Sequence, residues 1–148
     1  LIKVFDQPIA MLICYELAFP NLFREQLSAS KWIVSISDNG WFGHSLASYQ
    51  QLQMAQMLSL QTGKYQILVN NDGLSSIISS TGSIEKGLGS FSSGILKGEV
   101  FESEGLTPWV LWGDGPALVL CAFCLMAFLV FKLKYHPVVL RVRYKITY

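Results

Sequence analysis

Residues 8–16 read Pro-Ile-Ala-Met-Leu-Ile-Cys-Tyr-Glu, an apolar run that ends at a cysteine. Five apolar residues after Pro8 are typical of a strand buried in the middle of a sheet. Residues 19–21, Phe-Pro-Asn, then open a helical segment, so Cys14 is predicted to lie where a strand ends and a helix is about to begin. Backbone N–H groups at such a corner can bind an anion and hold a thiol as thiolate, which is the nucleophilic form. A small buried cysteine without reactivity is the alternative that position alone leaves open.

The composition excludes some classes of function. Lys and Arg number 11 against 10 Asp and Glu, so no overall positive field indicates a nucleic-acid partner. The hydrophobic fraction is 51%, which is high for a soluble domain. Cys121 and Cys124 form a C-x-x-C pattern, but they lie within an apolar run without a nearby histidine, so no metal or redox site is predicted there. Because the chain opens at Leu1 directly on a strand pattern, we expect it to be the C-terminal part of something longer.

Hydrophobic periodicity and turn signals predict an alternation of strands and helices. A mixed sheet with helices on one face follows from this order, in the α/β class. The predicted helices are 21–29 and 46–62, with Gly63 ending the second; the predicted strands are 1–5, 9–13, 31–37, 65–69, 74–79, a short one from Ile84, and 94–100.

Past residues 102–108 the character of the sequence changes. Residues 115–131 contain no charged side chain, and extending the run back to Val110 adds only Asp114. Twenty-two helical residues reach roughly 33 Å, enough to cross the apolar core of a bilayer, although a buried core helix is the alternative. The domains are therefore predicted as an α/β domain over 1–104, a linker over 105–114, a transmembrane helix over 115–131 that could start at 110, and a basic tail over 132–148.

The flanks of this run predict its orientation. The tail carries five basic residues, whereas residues 109–115 carry none. By the positive-inside rule the C-terminus is predicted to be cytoplasmic, which leaves the Cys14 domain on the outer face of the membrane. The basic residues are Lys132, Lys134, Arg141, Arg143 and Lys145.

Several stretches together resemble a known family. Residues 13–16, Ile-Cys-Tyr-Glu, resemble the nucleophile segment of the nitrilase (carbon–nitrogen hydrolase) superfamily. The order of the further motifs is similar to that of the apolipoprotein N-acyltransferases within it. These motifs are Phe19-Pro20, residues 37–43 (Ser-Asp-Asn-Gly-Trp-Phe-Gly), Gln50-x-x-Gln53-Met54-Ala55, residues 70–73 (Asn-Asn-Asp-Gly), and residues 105–108 (Gly-Leu-Thr-Pro) before a final apolar run.

The resemblance implies the C-terminal part of an αββα sandwich followed by one membrane helix, in the bacterial inner membrane with the catalytic domain periplasmic. It implies transfer of an acyl chain from a phospholipid to the N-terminal diacylglyceryl-cysteine of a lipoprotein, without a cofactor or metal. Cys14 would be the nucleophile, Glu16 a supporting catalytic residue and the Tyr15 N–H an oxyanion donor. Trp41 and Phe42 would bind the lipid, or serve only as packed loop aromatics.

One departure from the family pattern bears on activity. The resemblance implies a glutamate base and an oxyanion lysine well upstream of the cysteine. The 13 residues before Cys14 contain no glutamate, and their one lysine, Lys3, lies on the adjoining predicted strand, so neither partner is present. This chain alone is therefore expected to be inactive. His44 is interpreted as loop structure rather than as a base. The alternatives are an amidase of the same superfamily and a non-catalytic membrane-anchored remnant.

Overall fold

The computed structural model describes the backbone of residues 2–143 and the side chains of residues 2–134. Its six strands form one sheet in sequence order, in which the β2–β3 and β3–β4 pairs are parallel and the other pairs antiparallel. The mixed sheet predicted from the sequence is confirmed. The strands are β1 (Ile2–Val4), β2 (Gln7–Ile13), β3 (Trp32–Asp38), β4 (Gln66–Asn71), β5 (Ser75–Ile78) and β6 (Ile84–Leu88).

Four α-helices and three 3-10 helices complete the described elements: α1 (Arg24–Ala29), α2 (Ala47–Thr62), α3 (Pro108–Trp112), α4 (Gly115–Arg143), and the 3-10 helices Cys14–Ala18, Pro20–Phe23 and Gly40–Phe42. The helix predicted over 21–29 is wrong in its first half, which is 3-10 rather than α-helical. Phe23, with φ −107° and ψ 9°, separates the two conformations.

The strand predicted over 94–100 is also wrong, because the segment forms no ladder with any described strand. It packs against side chains of β5 and β6 instead. The Lys86 Nζ donates to the Lys97 carbonyl at 2.5 Å, and a Cβ on Gly98 would come within 2.6 Å of Ile77 Cδ1. Two glycines in seven residues leave little side chain to pack, which weakens any strand here.

The core lies on one face of the sheet, where the first two α-helices pack. Its members are buried apolar residues from the strands and helices: Ala10, Leu12, Leu17, Leu27, Ile33, Ala55, Leu58, Leu68 and Ile78. The opposite face is apolar as well but more accessible, with Ile13 60%, Ile36 44% and Val69 44% exposed. The described residues therefore cover this second face only in part: Ile9 and Ile77 on it are buried, whereas its residues at the carboxyl ends of the parallel strands are exposed.

The second α-helix was predicted in the right place, and its apolar residues Leu52, Ala55, Met57, Leu58 and Leu60 predict its buried face. Ala55 and Leu58 are buried in the core and Leu52 packs against it, so the prediction is wrong for two of the five. Gly63 ends α2 in the left-handed conformation, with φ 66°, as the sequence indicates. Met57 and Leu60, expected to be buried, are 54% and 56% exposed. Small and polar residues face the sheet instead, because strand residues give them hydrogen-bond partners. For example, the Ser59 hydroxyl donates to the Gln66 side chain at 3.2 Å.

Lys64 is a buried cation with a structural role. Its Nζ donates to the carbonyl of Ser30, just past the C-terminus of α1, where a positive charge is favourable. Burial, and then the neighbouring charge of Lys31, lowers the pKa of Lys64. Lys64 precedes β4 and so lies at the amino edge of the parallel strands, opposite the carboxyl edge that Cys14 follows.

Residues 105–114, predicted as a linker, contain α3. The Thr107 hydroxyl accepts a hydrogen bond from the Val110 N–H at 3.3 Å and donates one to the Gln61 carbonyl. Val110 is 5% exposed, and Trp109 packs against the core. This short helix belongs to the same compact unit as the sheet, which extends to Gly113.

The fourth α-helix forms a second unit. Residues Gly115–Lys134 are long and apolar enough, by length and composition, to cross a membrane, and their side chains are exposed. The helix starts at 115 rather than 110 and continues through Arg143, into the predicted tail. The last five residues of that tail, 144–148, lie outside the described residues.

Candidate functional site

Cys14 follows directly on the carboxyl end of β2, an interior strand that pairs in parallel with β3 and antiparallel with β1. β3 lies beside it in register, with Ile13 opposite Ile36, so that Asn39 also follows a neighbouring carboxyl end. The carboxyl ends of parallel strands are where open α/β sheets bind ligands. The strand-to-helix corner predicted for the cysteine is present, although the element that follows is a 3-10 helix.

The backbone at Cys14 is in the left-handed region, with φ 54°, which is uncommon for a residue with a side chain. A strained residue of this kind persists only where its surroundings hold it, and such residues concentrate at active sites. The Glu16 carboxylate supplies part of that support, because its Oε2 accepts a hydrogen bond from the Ile13 N–H at 2.7 Å. Glu16 therefore closes the turn that presents the thiol.

A cavity of about 330 Å³ opens next to Cys14. Its walls come from the 3-10 helix that starts at Cys14, the residues after β3 and the first half of α2. The lining residues are Cys14, Tyr15, Leu17, Ala18, Asn39, Phe42, Ala47, Gln50, Gln51 and Met54. None of these residues is an Asp, Glu, Lys, Arg or His. The cavity therefore suits an uncharged, largely apolar group near the thiol.

The predicted site residues divide between the cavity and its surroundings. Cys14, Tyr15 and Phe42 line the cavity, whereas Trp41 is 89% exposed and is not part of its lining. Tyr15 is 63% exposed and packs edge-on against Phe19, with ring centroids 5.6 Å apart. His44 lies against Phe91, with centroids 4.5 Å apart, and does not line the cavity. Among the described residues, no three His, Cys, Asp or Glu side chains lie together as a metal site would require.

Asn39 and Gln51 are cavity residues that the sequence analysis did not single out. Asn39 is 2% exposed, and its Nδ2 donates to Gln51 Oε1 at 2.7 Å. A signal was present in the helix, where Ser48, Gln51 and Ala55 recur at spacings of three and four. That spacing puts two polar residues on the face toward the sheet.

Comparison with known proteins identifies the family. The model of the carbon-nitrogen hydrolase family matches residues 2–105. The chain belongs to the carbon-nitrogen hydrolase family. The match includes all six strands and Cys14, whereas α4 lies beyond it.

Within the carbon-nitrogen hydrolases, the chain is similar to apolipoprotein N-acyltransferases. The relative from Wigglesworthia glossinidia brevipalpis is 34% identical over 134 residues, which are 90% of this chain and 27% of the relative. The relative from Pseudomonas paraeruginosa is 36% identical over 85% of this chain and 25% of its own length. The relative from Azotobacter vinelandii is 38% identical over 73% of this chain and 21% of its own length. The chain thus spans about a quarter of the curated relatives that it matches.

The hydrogen bond from Ile13 to Glu16 gives a prediction for this carbon-nitrogen hydrolase site. In Glu16→Ala the Ile13 N–H loses its acceptor, and we expect its hydrogen exchange to accelerate about tenfold. Glu16→Gln keeps an acceptor oxygen and should show a smaller change. Glu25→Ala, on the exposed side of α1, is the matched control and should leave Ile13 unchanged. Exchange at Ile13 that is the same in Glu16→Ala as in the parent would contradict this role for Glu16.

Proposed function

We propose that this chain carries the nucleophile of an apolipoprotein N-acyltransferase. The observation that carries the proposal is Cys14 itself, a left-handed residue at the carboxyl end of the interior strand β2, beside a largely apolar cavity. The names of the relatives support the same activity. An acyl ester offers the two features that this site accommodates, a carbonyl for the thiolate to attack and an apolar chain.

The proposed chemistry is two acyl transfers. The Cys14 thiolate attacks the ester carbonyl of a phospholipid, a carbon–sulfur bond forms, and the lysophospholipid leaves as the alcohol after taking a proton. The α-amino group of a diacylglyceryl-cysteine then attacks the thioester, a carbon–nitrogen bond forms, and the thiolate is regenerated as the amine loses a proton. Tyr15 follows the nucleophile directly, and we assign its backbone N–H to the oxyanion of both steps.

Glu16 acts in this proposal as a positioning residue. Its carboxylate is bound to the Ile13 N–H, and this contact supports the backbone conformation that presents Cys14. Phe42 is assigned to the acyl chain, because it lines the cavity beside the thiol. Trp41, which is 89% exposed on the same 3-10 helix, is assigned to the outer, lipid-facing part of the path.

The base and the oxyanion lysine come, in this proposal, from outside these 148 residues. The residues that line the cavity include no carboxylate, imidazole or amine. Lys64 does not supply the missing cation, since it lies buried at the amino edge of the parallel strands and binds the Ser30 carbonyl. Without the base and the oxyanion lysine, the Tyr15 N–H is the one oxyanion donor assigned here, and both transfers lose most of their acceleration. We therefore propose that the chain alone is inactive.

We propose that α4 crosses the bacterial inner membrane, with the Cys14 domain periplasmic and the C-terminus cytoplasmic. The apolar stretch Gly115–Lys134 and the one-sided distribution of Lys and Arg support this orientation. A reporter that is active only in the periplasm, fused after Tyr148, should be silent, whereas one that is active in the cytoplasm should function. The reverse pattern would overturn the orientation.

A chimera tests the activity. The matched quarter of the Pseudomonas paraeruginosa relative is replaced with this chain, so that the relative supplies the remaining catalytic groups. We expect the chimera to transfer a phospholipid acyl chain to a diacylated lipopeptide, measured by mass spectrometry. A folded chimera that hydrolyses small amides without acylating the lipopeptide would favour the amidase alternative. One that does neither would favour the non-catalytic alternative.

A further inference from the structure

The two halves of α2 are attached to the sheet by different interactions. In the C-terminal half, Ala55 and Leu58 belong to the buried apolar core. In the N-terminal half, Leu52 also packs against that core, whereas the contacts that border the Cys14 cavity are polar. Gln51 Nε2 donates to Ser37 Oγ at 2.6 Å, while Asn39 Nδ2 donates to Gln51 Oε1 at 2.7 Å and to Ser48 Oγ at 3.3 Å. We call these four residues the amide bridge.

Asn39 is held firmly from the sheet side. Its N–H donates to the Asn71 carbonyl at 2.9 Å, which fixes it to the end of β4. Its carbonyl accepts from the Phe42 N–H at 3.0 Å, which starts the turn that carries Phe42. Gly73 packs against it so closely that a Cβ there would lie 2.7 Å from Asn39 Nδ2. The sheet end of the amide bridge is therefore rigid, and the helix end is the part that can move.

Two members of the amide bridge also line the Cys14 cavity. Asn39 and Gln51 form part of the wall between α2 and the 3-10 helix that begins at Cys14. The other helix residues in this wall, such as Gln50 and Met54, are exposed and do not fix the helix to the sheet. The amide bridge is thus the attachment that sets how far the first turns of α2 stand from the thiol.

We propose that the amide bridge positions α2 so as to limit the size of the group that reaches Cys14. The inference rests on the proposed function in that this group would be the acyl chain of the donor. Hydrogen bonds are directional and fix one spacing, whereas apolar contacts tolerate sliding. Gln51 is a positioning residue here, because it affects access to Cys14 only by fixing the distance between α2 and the thiol.

The test measures alkylation of Cys14 by a small and a bulky maleimide. Cys121→Ala and Cys124→Ala are introduced first, so that Cys14 is the one remaining thiol. N-ethylmaleimide and N-pyrenylmaleimide are then compared on the full chain in detergent, and the rates are read from intact mass. In Gln51→Met, a variant of similar volume without the bridge bonds, we expect the bulky-to-small rate ratio to rise about fivefold.

Rescue and control variants distinguish the positioning of α2 by the amide bridge from a general loss of stability of the protein. Gln51→Glu should stay near the parent ratio, because its carboxylate accepts from Asn39 while the Ser37 hydroxyl rotates to donate. Gln53→Met, on the exposed side of α2, should also leave the ratio unchanged. If Gln51→Met unfolds, Ser37→Ala removes a single bridge bond and should raise the ratio in the same direction.

The inference is overturned if a folded Gln51→Met or Ser37→Ala protein keeps the parent ratio, or if Gln53→Met raises it as much. It is likewise overturned if Gln51→Glu behaves as Gln51→Met does. Alkylation requires no acyl transfer. The inference about the amide bridge can therefore be wrong while the chimera is active, and it can be right while the chimera is inactive.

Discussion

Replacing Cys14 with serine in the chimera is expected to abolish the acyl-enzyme and reduce lipopeptide acylation at least about a thousandfold. The hydroxyl that remains is a far weaker nucleophile than a thiolate, so the catalytic groups supplied by the relative do not restore the first transfer. The measurement is a trap of the thioester formed with a phospholipid carrying a labelled acyl chain, followed by release with neutral hydroxylamine.

Cys121→Ser is the matched control for this experiment. Cys121 is an exposed thiol in the apolar helix α4, outside the cavity, and its replacement should leave both the thioester and the turnover at the parent level. A hydroxylamine-sensitive acyl group that still forms on Cys14→Ser would show that another residue is the nucleophile.

The second large effect is expected for the chain by itself, which should show no acyl transfer and should self-associate when detergent is diluted. The absence of transfer follows from the cavity lining, which includes no carboxylate, imidazole or amine to act as a base or as an oxyanion cation. The association follows from two exposed apolar surfaces, the helix α4 and the sheet face on which Ile13, Ile36 and Val69 are substantially exposed. Apolar strands open to solvent invite association between chains. Lipopeptide acylation measures the acyl transfer, and light scattering measures the self-association.

Charge substitutions measure how much the uncovered sheet face contributes to the association. Ile36→Lys places a charge in the middle of the uncovered sheet face and should reduce scattering. Leu60→Lys, at a residue 56% exposed on the outer side of α2, is the matched control and should reduce it less. Turnover by the chain alone at the level of the chimera would show that the catalytic partners lie within these 148 residues. A monodisperse chain in dilute detergent would overturn only the statement about association.

Local sequence patterns were sufficient for the features that depend on a few neighbouring residues. The apolar run before Cys14 predicts a central strand, and β2 ends at Ile13. Gly63 predicts the end of α2, since a left-handed residue is needed there. The uncharged run after residue 114 predicts an apolar helix, and Gly115–Lys134 lie within α4. Each of these signals is short-range, so the sequence carries it without knowledge of the fold.

Tertiary structure decided which side chains meet, because that depends on the surface each element packs against. Met57 and Leu60 satisfy the apolar pattern of α2 but are exposed, since the sheet beneath the helix offers hydroxyl and amide partners to Ser48, Gln51 and Ser59. Residues 94–100 have strand-like composition but no strand to pair with among the described residues. Likewise, Cys14-Tyr15-Glu16 alone determined the candidate nucleophile. Only the fold brought Asn39 and Gln51 together at the cavity and left Trp41 outside it, since long-range contacts fix these positions.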